Sequence, residues 1–320
     1  MFAQARERAV DYVRTALHTR SLAAAWRLCV APAGFGEVRL PGYAGSFRFR
    51  QGTTDAQFLR GLANGDSPPE YALPPELTPR VILDIGANIG TVSAELARTW
   101  PAARIYAFEP LPANVALLRH NVAQFPNVTV APYGLGAQTG EFAYECSTDP
   151  NNFGGGGFCA GRRLGVGSGC RVGRAAPTGR KSRLGRASRM GWASRVGWAS
   201  PPARPARAST PDGPSTAGTT ANATAAPTMT LRVVAVPEAL ASLGITTVDV
   251  IKIDAEGAEH DILMSFPTDV LTSAQVISGE LHRGPRDDEL LDYLRQWFTL
   301  DVHVNPRSGR PHYFRALRAR

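Results

Sequence analysis

Apolar residues change their spacing several times along this chain, and each change marks an element. Ala3 to Leu17 reads as a surface helix. Residues 36 to 50 alternate apolar and polar, the period of a half-buried strand, so "EVRLPGYAGSFRFR" predicts a short strand pair. "TTDAQFLRGL" predicts a helix capped by the hydroxyl of Thr53 or Thr54. Beyond residue 80 the pattern becomes regular. "RVILDIG" is a continuous apolar run, as in a strand covered on both faces. "TVSAELARTW" follows as a helix with Pro101 just past its end, and "RIYAFEP" as a second buried strand. Leu111, Val115, Leu118, Val122 and Phe125 share one helical face, and "NVTVAPYGLG" reads as a third strand. Much later the alternation resumes. "VDVIKIDAEGAEHDILMSF" is strand, tight turn and helix, and "QVISGELH" is a strand. "RDDELLDYLRQW" is a helix that opens with acids, as the helix dipole favours. "FTLDVHV" and "HYFRAL" close the chain as a hairpin around "NPRSGRP".

Strands alternating with helices predict an α/β fold, a doubly wound and mostly parallel sheet, with the last hairpin supplying an antiparallel edge. The alternation breaks at residues 151–228. From Val172 to Pro201 a six-residue unit repeats as "VGRAAP", "TGRKSR", "LGRASR", "MGWASR" and "VGWASP", and a Pro-, Ala-, Ser- and Thr-rich stretch follows. Such a segment buries too little apolar area to offset the entropy of ordering it. The predicted organisation is therefore a helical and strand extension over 1–46, one domain formed by 47–150 and 229–320, and a disordered insertion over 151–228.

That insertion also explains the charge. The chain carries 35 Lys and Arg against 27 Asp and Glu, a net of +8, but residues 151–211 hold 12 of the basic residues and no acid. The remainder has 35 − 12 = 23 basic against 27 acidic residues, a net of −4, so the folded part has no need of a polyanion. Nucleic acid is thus not the expected partner. The rival reading has the insertion's arginines, with Trp192 and Trp198, gripping a nucleic acid by phosphate contacts and stacking. No apolar run reaches the roughly 18 residues of a membrane span. The first 30 residues hold five arginines and two acids without a continuous apolar stretch, which argues against a secretory signal and leaves organellar targeting open. The four cysteines show neither CxxC nor zinc spacing, as expected for reduced thiols in a cytoplasmic setting.

The chemistry concentrates in "LDIGANIGTVSAE", Leu83 to Glu95, a glycine turn between a strand and a helix. A dinucleotide loop requires GxGxxG, because a pyrophosphate must approach bare backbone at the helix N-terminus. Counted from Gly86, the second and third glycine positions are Asn88 and Thr91, so that reading fails. The pattern present is DxGxNxG, which suits S-adenosyl-L-methionine. That ligand has no pyrophosphate, and its amino-acid end fits beside Gly86 and Gly90. Asp84 can order the loop, Asn88 offers donors and acceptors, and helix amides can receive the ligand's carboxylate. Nineteen residues after Gly90, Glu109 ends the second strand, where a carboxylate can accept hydrogen bonds from both ribose hydroxyls.

In the second half, one strand ends in Asp254-Ala255-Glu256-Gly257 and another in Glu280-Leu281-His282. Side chains alternate along a strand, so 280 and 282 share a face, with Asp254 facing the same crevice. Asp254 and His282 are the candidate catalytic residues, with His282 as general base. Glu256 and Glu280 are candidate substrate contacts. Glu259 and Glu256 also suit the start of the following helix, and Lys252 reads as a paired lysine within its strand. Asp55 is a further candidate for the cofactor, or a helix cap. Asp254, Glu280 and His282 have the ligand types for a divalent metal, but their spacing demands none and none is expected. The NPPY or DPPY of amine methylation is replaced by "DAEG", which favours oxygen as the methyl acceptor.

"ILDIGANIGTVS", "YAFEPLPANVALLRHNV", "VDVIKIDAEGAEHDIL" and "ISGELH", in this order, resemble the FkbM-type methyltransferases, and "FRFRQGTTDAQF" is similar to that family's lead-in. The resemblance covers roughly residues 47–150 and 229–315. It implies a class I methyltransferase fold, Rossmann-like, and transfer of a methyl group from S-adenosyl-L-methionine to a hydroxyl of a sugar, glycan or small metabolite. The arginine-rich repeat is foreign to the pattern. Two alternatives remain: a nucleic-acid methyltransferase, and a module that binds S-adenosylmethionine without turnover.

Overall fold

The computed structural model describes residues 2–66, 73–74, 76–145, 147, 157–163, 228–282, 286–304 and 311–318. The chain divides into two units, residues 1–166 with 226–320, and residues 167–225. The second unit holds the hexapeptide repeat, so the expected disorder of that repeat lies outside the described residues.

The first unit begins with α1 (Phe2–Thr19), α2 (Leu22–Cys29), the hairpin β1 (Gly34–Arg39) and β2 (Ser46–Gln51), and α3 (Thr54–Asn64). Thr53 caps α3 by accepting the Asp55 amide at 3.2 Å, and Gly65 ends the helix in the left-handed region. The boundary expected at residue 46 falls inside this hairpin, where Val38 pairs with Phe47 and Arg39 with Ser46. Both strands bury side chains in one cluster: Val38, Phe47 and Phe49 pack with Leu28, Leu59, Ile89, Ala94 and Leu117. A helical segment that must cover these aromatics cannot stand apart from the body it packs on.

Next come β3 (Val81–Ile85), α4 (Thr91–Thr99), β4 (Arg104–Phe108), α5 (Pro112–Val122) and β5 (Val128–Ala131). All five residues of β3 are buried. Val81, Leu83 and Ile85 join one core cluster, and Ile82 joins another with Leu96, Ala97 and Ile105, which is why the run is apolar throughout. A second sheet contains β6 (Gly134–Gly136), β7 (Gly140–Glu145), β8 (Gly157–Arg163) and β9 (Thr228–Ala235), followed by α6 (Val236–Ser242). The chain then returns through β10 (Val250–Ile253), α7 (Glu259–Leu263), α8 (Thr268–Ser273), β11 (Val276–Glu280), α9 (Asp287–Leu294), β12 (Phe298–Val304) and β13 (Pro311–Arg318).

The main sheet has the order β12-β13-β11-β10-β3-β4-β5. Strands β11, β10, β3, β4 and β5 are parallel to one another, while β13 is antiparallel to both β11 and β12. From β3 the chain winds outward through β4 and β5, then returns to the other side of β3 as β10. The reversal opens a crevice beyond the C-terminal ends of β3 and β10, where doubly wound sheets bind ligands. This is the class I methyltransferase sheet expected from the sequence.

Three local readings change. "NVTVAPYGLG" is two strands in two sheets, because Pro132 has no amide for a ladder and separates β5 from β6. Strand β8 and the first residue of β9 fall inside the segment read as disordered. There β8 pairs with β7, Phe158 opposite Tyr144, a backbone pairing that composition does not encode. The terminal hairpin is present, but its second strand inserts beside β11 and its first becomes the edge. Among the described residues no helix is long and apolar enough to cross a membrane.

Candidate active site

The turn after β3 follows from its glycines. Gly86 has φ +76°, and a Cβ there would lie 1.8 Å from the Asp254 carbonyl oxygen, so the β3 and β10 ends approach only without a side chain. Gly90 has φ +85° and opens α4 without a side-chain cap, leaving that helix's first amides for a ligand. The Gly86 and Ala87 amides both donate to the Phe108 carbonyl, at 3.0 and 2.9 Å, which ties the loop to β4. Asn88 adopts a left-handed φ of +50°. Its side-chain oxygen is buried with no hydrogen-bond partner among the described residues, in the wall of a cavity that also contains Gly86, Glu109 and Asp254. Asp84 is fully buried below the loop. It accepts from Ser93 Oγ at 2.5 Å and pairs with Lys252 Nζ at 3.1 Å, and that ammonium donates to the Gly86 carbonyl at 2.8 Å. Asp84 thus orders the loop through Ser93 and Lys252 and is not part of the cavity wall. Burial opposes the Lys252 charge, but Asp84 and Asp254 outweigh it and hold the ammonium.

Glu109 follows β4 and is 4% exposed. Its Oε2 accepts the Asn88 amide at 2.8 Å, and its Oε1 accepts the Leu111 amide at 2.9 Å and Asn114 Nδ2 at 3.2 Å. A carboxylate has about four acceptor positions, so about one remains, on Oε2. Burial pushes its carboxyl above the usual range, against the pull of the Leu111, Asn88 and Asn114 donors. Behind it runs a buried chain. Asn114 Oδ1 accepts Arg50 Nη2 at 2.8 Å, and Arg50 grips Asp55 through Nε at 2.6 Å and Nη2 at 3.1 Å. Asp55, 1% exposed, therefore faces Arg50 and reaches neither the cofactor crevice nor the cap of α3.

Asp254 and Glu256 line the opposite wall, and with Glu259 and Glu280 they surround one imidazole. His282 Nδ1 lies 2.9 Å from Glu259 Oε1, and Glu259 also accepts the Ala255 and Gly257 amides at 2.8 and 3.2 Å. His282 Nε2 faces Glu256 at 3.4 Å, Asp254 at 3.6 Å and Glu280 at 3.8 Å. Burial works against a charged imidazole, but the Glu259 bond and the charges of Glu259, Asp254 and Glu256 prevail and raise His282 to about 10. Burial likewise raises Glu256 to about 7, tempered by His282. Glu259 is held low, because its bonds to His282 and Ala255 overcome its burial. In this arrangement the surrounding carboxylates favour the protonated imidazole over the neutral form that the general base expected from the sequence requires.

A family model described as the methyltransferase FkbM domain matches residues 84–301. The chain belongs to the FkbM methyltransferase family. It is an S-adenosylmethionine-dependent methyltransferase, as that family implies. No match was found among the curated proteins. Among solved structures, a precorrin-6y C5,15-methyltransferase from Geobacter metallireducens GS-15 aligns at TM-score 0.32 and 12% identity, over 75% of this chain and 80% of that one. A Klebsiella pneumoniae chain described as an O-methyltransferase aligns at TM-score 0.32 and 11% identity, over 76% of this chain and 74% of that one. Both likenesses are too weak to carry the fold, which rests on the strand order.

In this FkbM methyltransferase the structure brings Gly86, Asn88 and Glu109 together with Asp254 and Glu256 around one cavity, and it sets Glu280 and His282 beside Asp254. Gly90 acts from behind, at the start of α4. Sequence reasoning missed Asn114, Arg50 and the clamp of Glu259 on His282. It also missed Gly134, Leu135 and Tyr144, which close the cavity from the second sheet. Arg50 and Asn114 lie 64 residues apart, and no local pattern pairs them.

Proposed function

We propose that this FkbM methyltransferase transfers a methyl group from S-adenosyl-L-methionine to a hydroxyl of a sugar, glycan or small metabolite. One observation carries the reading: a cavity at the β3–β10 reversal has hydrogen-bonding groups for a sulfonium nucleoside on one wall and carboxylates for a hydroxyl on the other. The donor fits the residues present. Gly86 removes the side chain that would fill the turn, Glu109 Oε2 keeps an acceptor position for a ribose hydroxyl, and Asn88 Oδ1 offers a buried acceptor to an ammonium. When bound, that donor supplies an electrophilic methyl group on sulfur.

The rest is positioning and proton management by the chain's own residues. Asp254 and Glu256 line the cavity and are placed to accept the substrate's hydroxyl hydrogen bond and then its proton. Held beside Gly86, Asn88 and Glu109, the donor would supply the methyl group for a new C–O bond, and the C–S bonding pair would leave with sulfur. His282 fixes the carboxylates around it.

The test is transfer of labelled methyl from S-adenosylmethionine into cell extract, separated into glycan, small-molecule, lipid and RNA fractions. Label in the glycan or small-molecule fraction, as ether and absent with E109A, is the expected result. Label confined to RNA, or tight donor binding with no transfer to any fraction, would overturn it.

A further inference from the structure

The two ring nitrogens of His282 are treated differently. Nδ1 is 2.9 Å from Glu259, an ordinary charge-assisted contact to a carboxylate that is 2% exposed and pinned by two backbone amides. Nε2 points the other way. Three carboxylate oxygens surround it at 3.4, 3.6 and 3.8 Å, all beyond the roughly 2.7–2.9 Å of a charge-assisted hydrogen bond. One ligand atom from each of Asp254, Glu280 and His282 lies within 4.8 Å of the others. Ligands about 2.1 Å from a shared ion sit about 3.4 Å apart in a tetrahedron, and Asp254 and Glu280 lie 3.6 and 3.8 Å from His282 Nε2. A metal-bound histidine characteristically gives its other ring N–H to a carboxylate, which fixes the tautomer and aims the free nitrogen. Glu259 does this for His282, from the Nδ1 side of the ring.

We infer that Asp254, Glu280 and His282 form a binding site for a divalent cation of the manganese or zinc type, with Glu259 as the carboxylate that orients the histidine. Two carboxylates and an imidazole suit such an ion, and three protein ligands leave positions open on the cavity side. The ion takes the place of the Nε2 proton and offsets the local excess of carboxylates. Its open position accepts the oxygen of the acceptor hydroxyl, whose proton then leaves more readily to a cavity carboxylate. The use made of the ion rests on the proposed reaction, but the site itself does not.

The full-length protein, stripped with chelator, is titrated with MnCl2 and with ZnCl2 by calorimetry, with manganese uptake followed by electron paramagnetic resonance. S-adenosylhomocysteine is titrated in parallel. One ion per chain is expected in the wild type, with affinity at least tenfold weaker in E280Q and in H282Q. Both variants should hold S-adenosylhomocysteine within about threefold of wild type, which shows that they fold. E280Q alters a side chain that is 23% exposed and keeps the test valid should H282Q fail to fold. Absence of ion binding in the wild type, or unchanged ion affinity in folded E280Q, would overturn the site. Ion binding without S-adenosylhomocysteine binding would support the site while overturning the function proposed above.

Discussion

Glu109 is a nearly saturated acceptor, and this makes its protonation state readable. The carboxylate is the stronger acceptor for a ribose hydroxyl, because a proton on Oε2 would occupy its open position, and burial raises its pKa. Affinity for S-adenosylhomocysteine should therefore fall as pH falls, with the decline starting above the ordinary carboxylate range of about 4. Calorimetry across that range tests this, and E109Q should bind more weakly but with a flatter profile. A wild-type affinity that is flat down to the ordinary range would count against the role. Gly86 makes a separate claim. Alanine there must adopt φ +76° and place its Cβ on the Asp254 carbonyl. The left-handed conformation alone costs about 1–2 kcal/mol. The overlap adds to that, so G86A should lower Tm by at least about 4 °C in a thermal melt, at roughly 2–4 °C per kcal/mol for a chain of this size. These residues were legible in the sequence because their chemistry is local: glycine spacing and a strand-terminal acid. The state of His282 was not legible, because it depends on four carboxylates from a strand, a turn and a helix.

At the scale of elements, the hairpin β1–β2 reaches the cofactor wall without touching it. Arg50, held by Asp55, fixes Asn114, and Asn114 fixes Glu109. If that chain positions the carboxylate, R50M should weaken binding of S-adenosylhomocysteine about tenfold, in line with the roughly 1–3 kcal/mol of a lost buried hydrogen-bond partner. It should weaken binding of the 2′-deoxy and 3′-deoxy analogues much less, because they have already lost a ribose contact. Equal losses for all three ligands would reduce Arg50 to a folding role. The period of the apolar residues made most strands and helices legible. It failed at Pro132, where two adjacent strands share a period but belong to different sheets, and at β8, whose strand state comes from pairing with β7 rather than from composition.

At the scale of the molecule, α/β alternation predicted the winding, but not that the second sheet would close the cavity. Residues 164–227 connect β8 to β9, and both strands pair antiparallel with β7. They are therefore parallel to each other and two strand spacings apart, about 10 Å. With the return along the strand, an eight-residue Gly/Ser linker, reaching about 16 Å, can replace the segment. That deletion should keep S-adenosylhomocysteine affinity within about threefold of the full chain by calorimetry, since the cavity wall formed by the described residues lies outside it. Loss of binding would give the segment a structural part in the site. The most direct test of the central claim is calorimetric titration of the full chain with S-adenosylmethionine and with NAD, beside E109A. The account predicts saturable heat with S-adenosylmethionine at one site per chain, at least tenfold weaker in E109A, and none with NAD. Binding of NAD in preference, or equal affinity for S-adenosylmethionine in E109A, would contradict it.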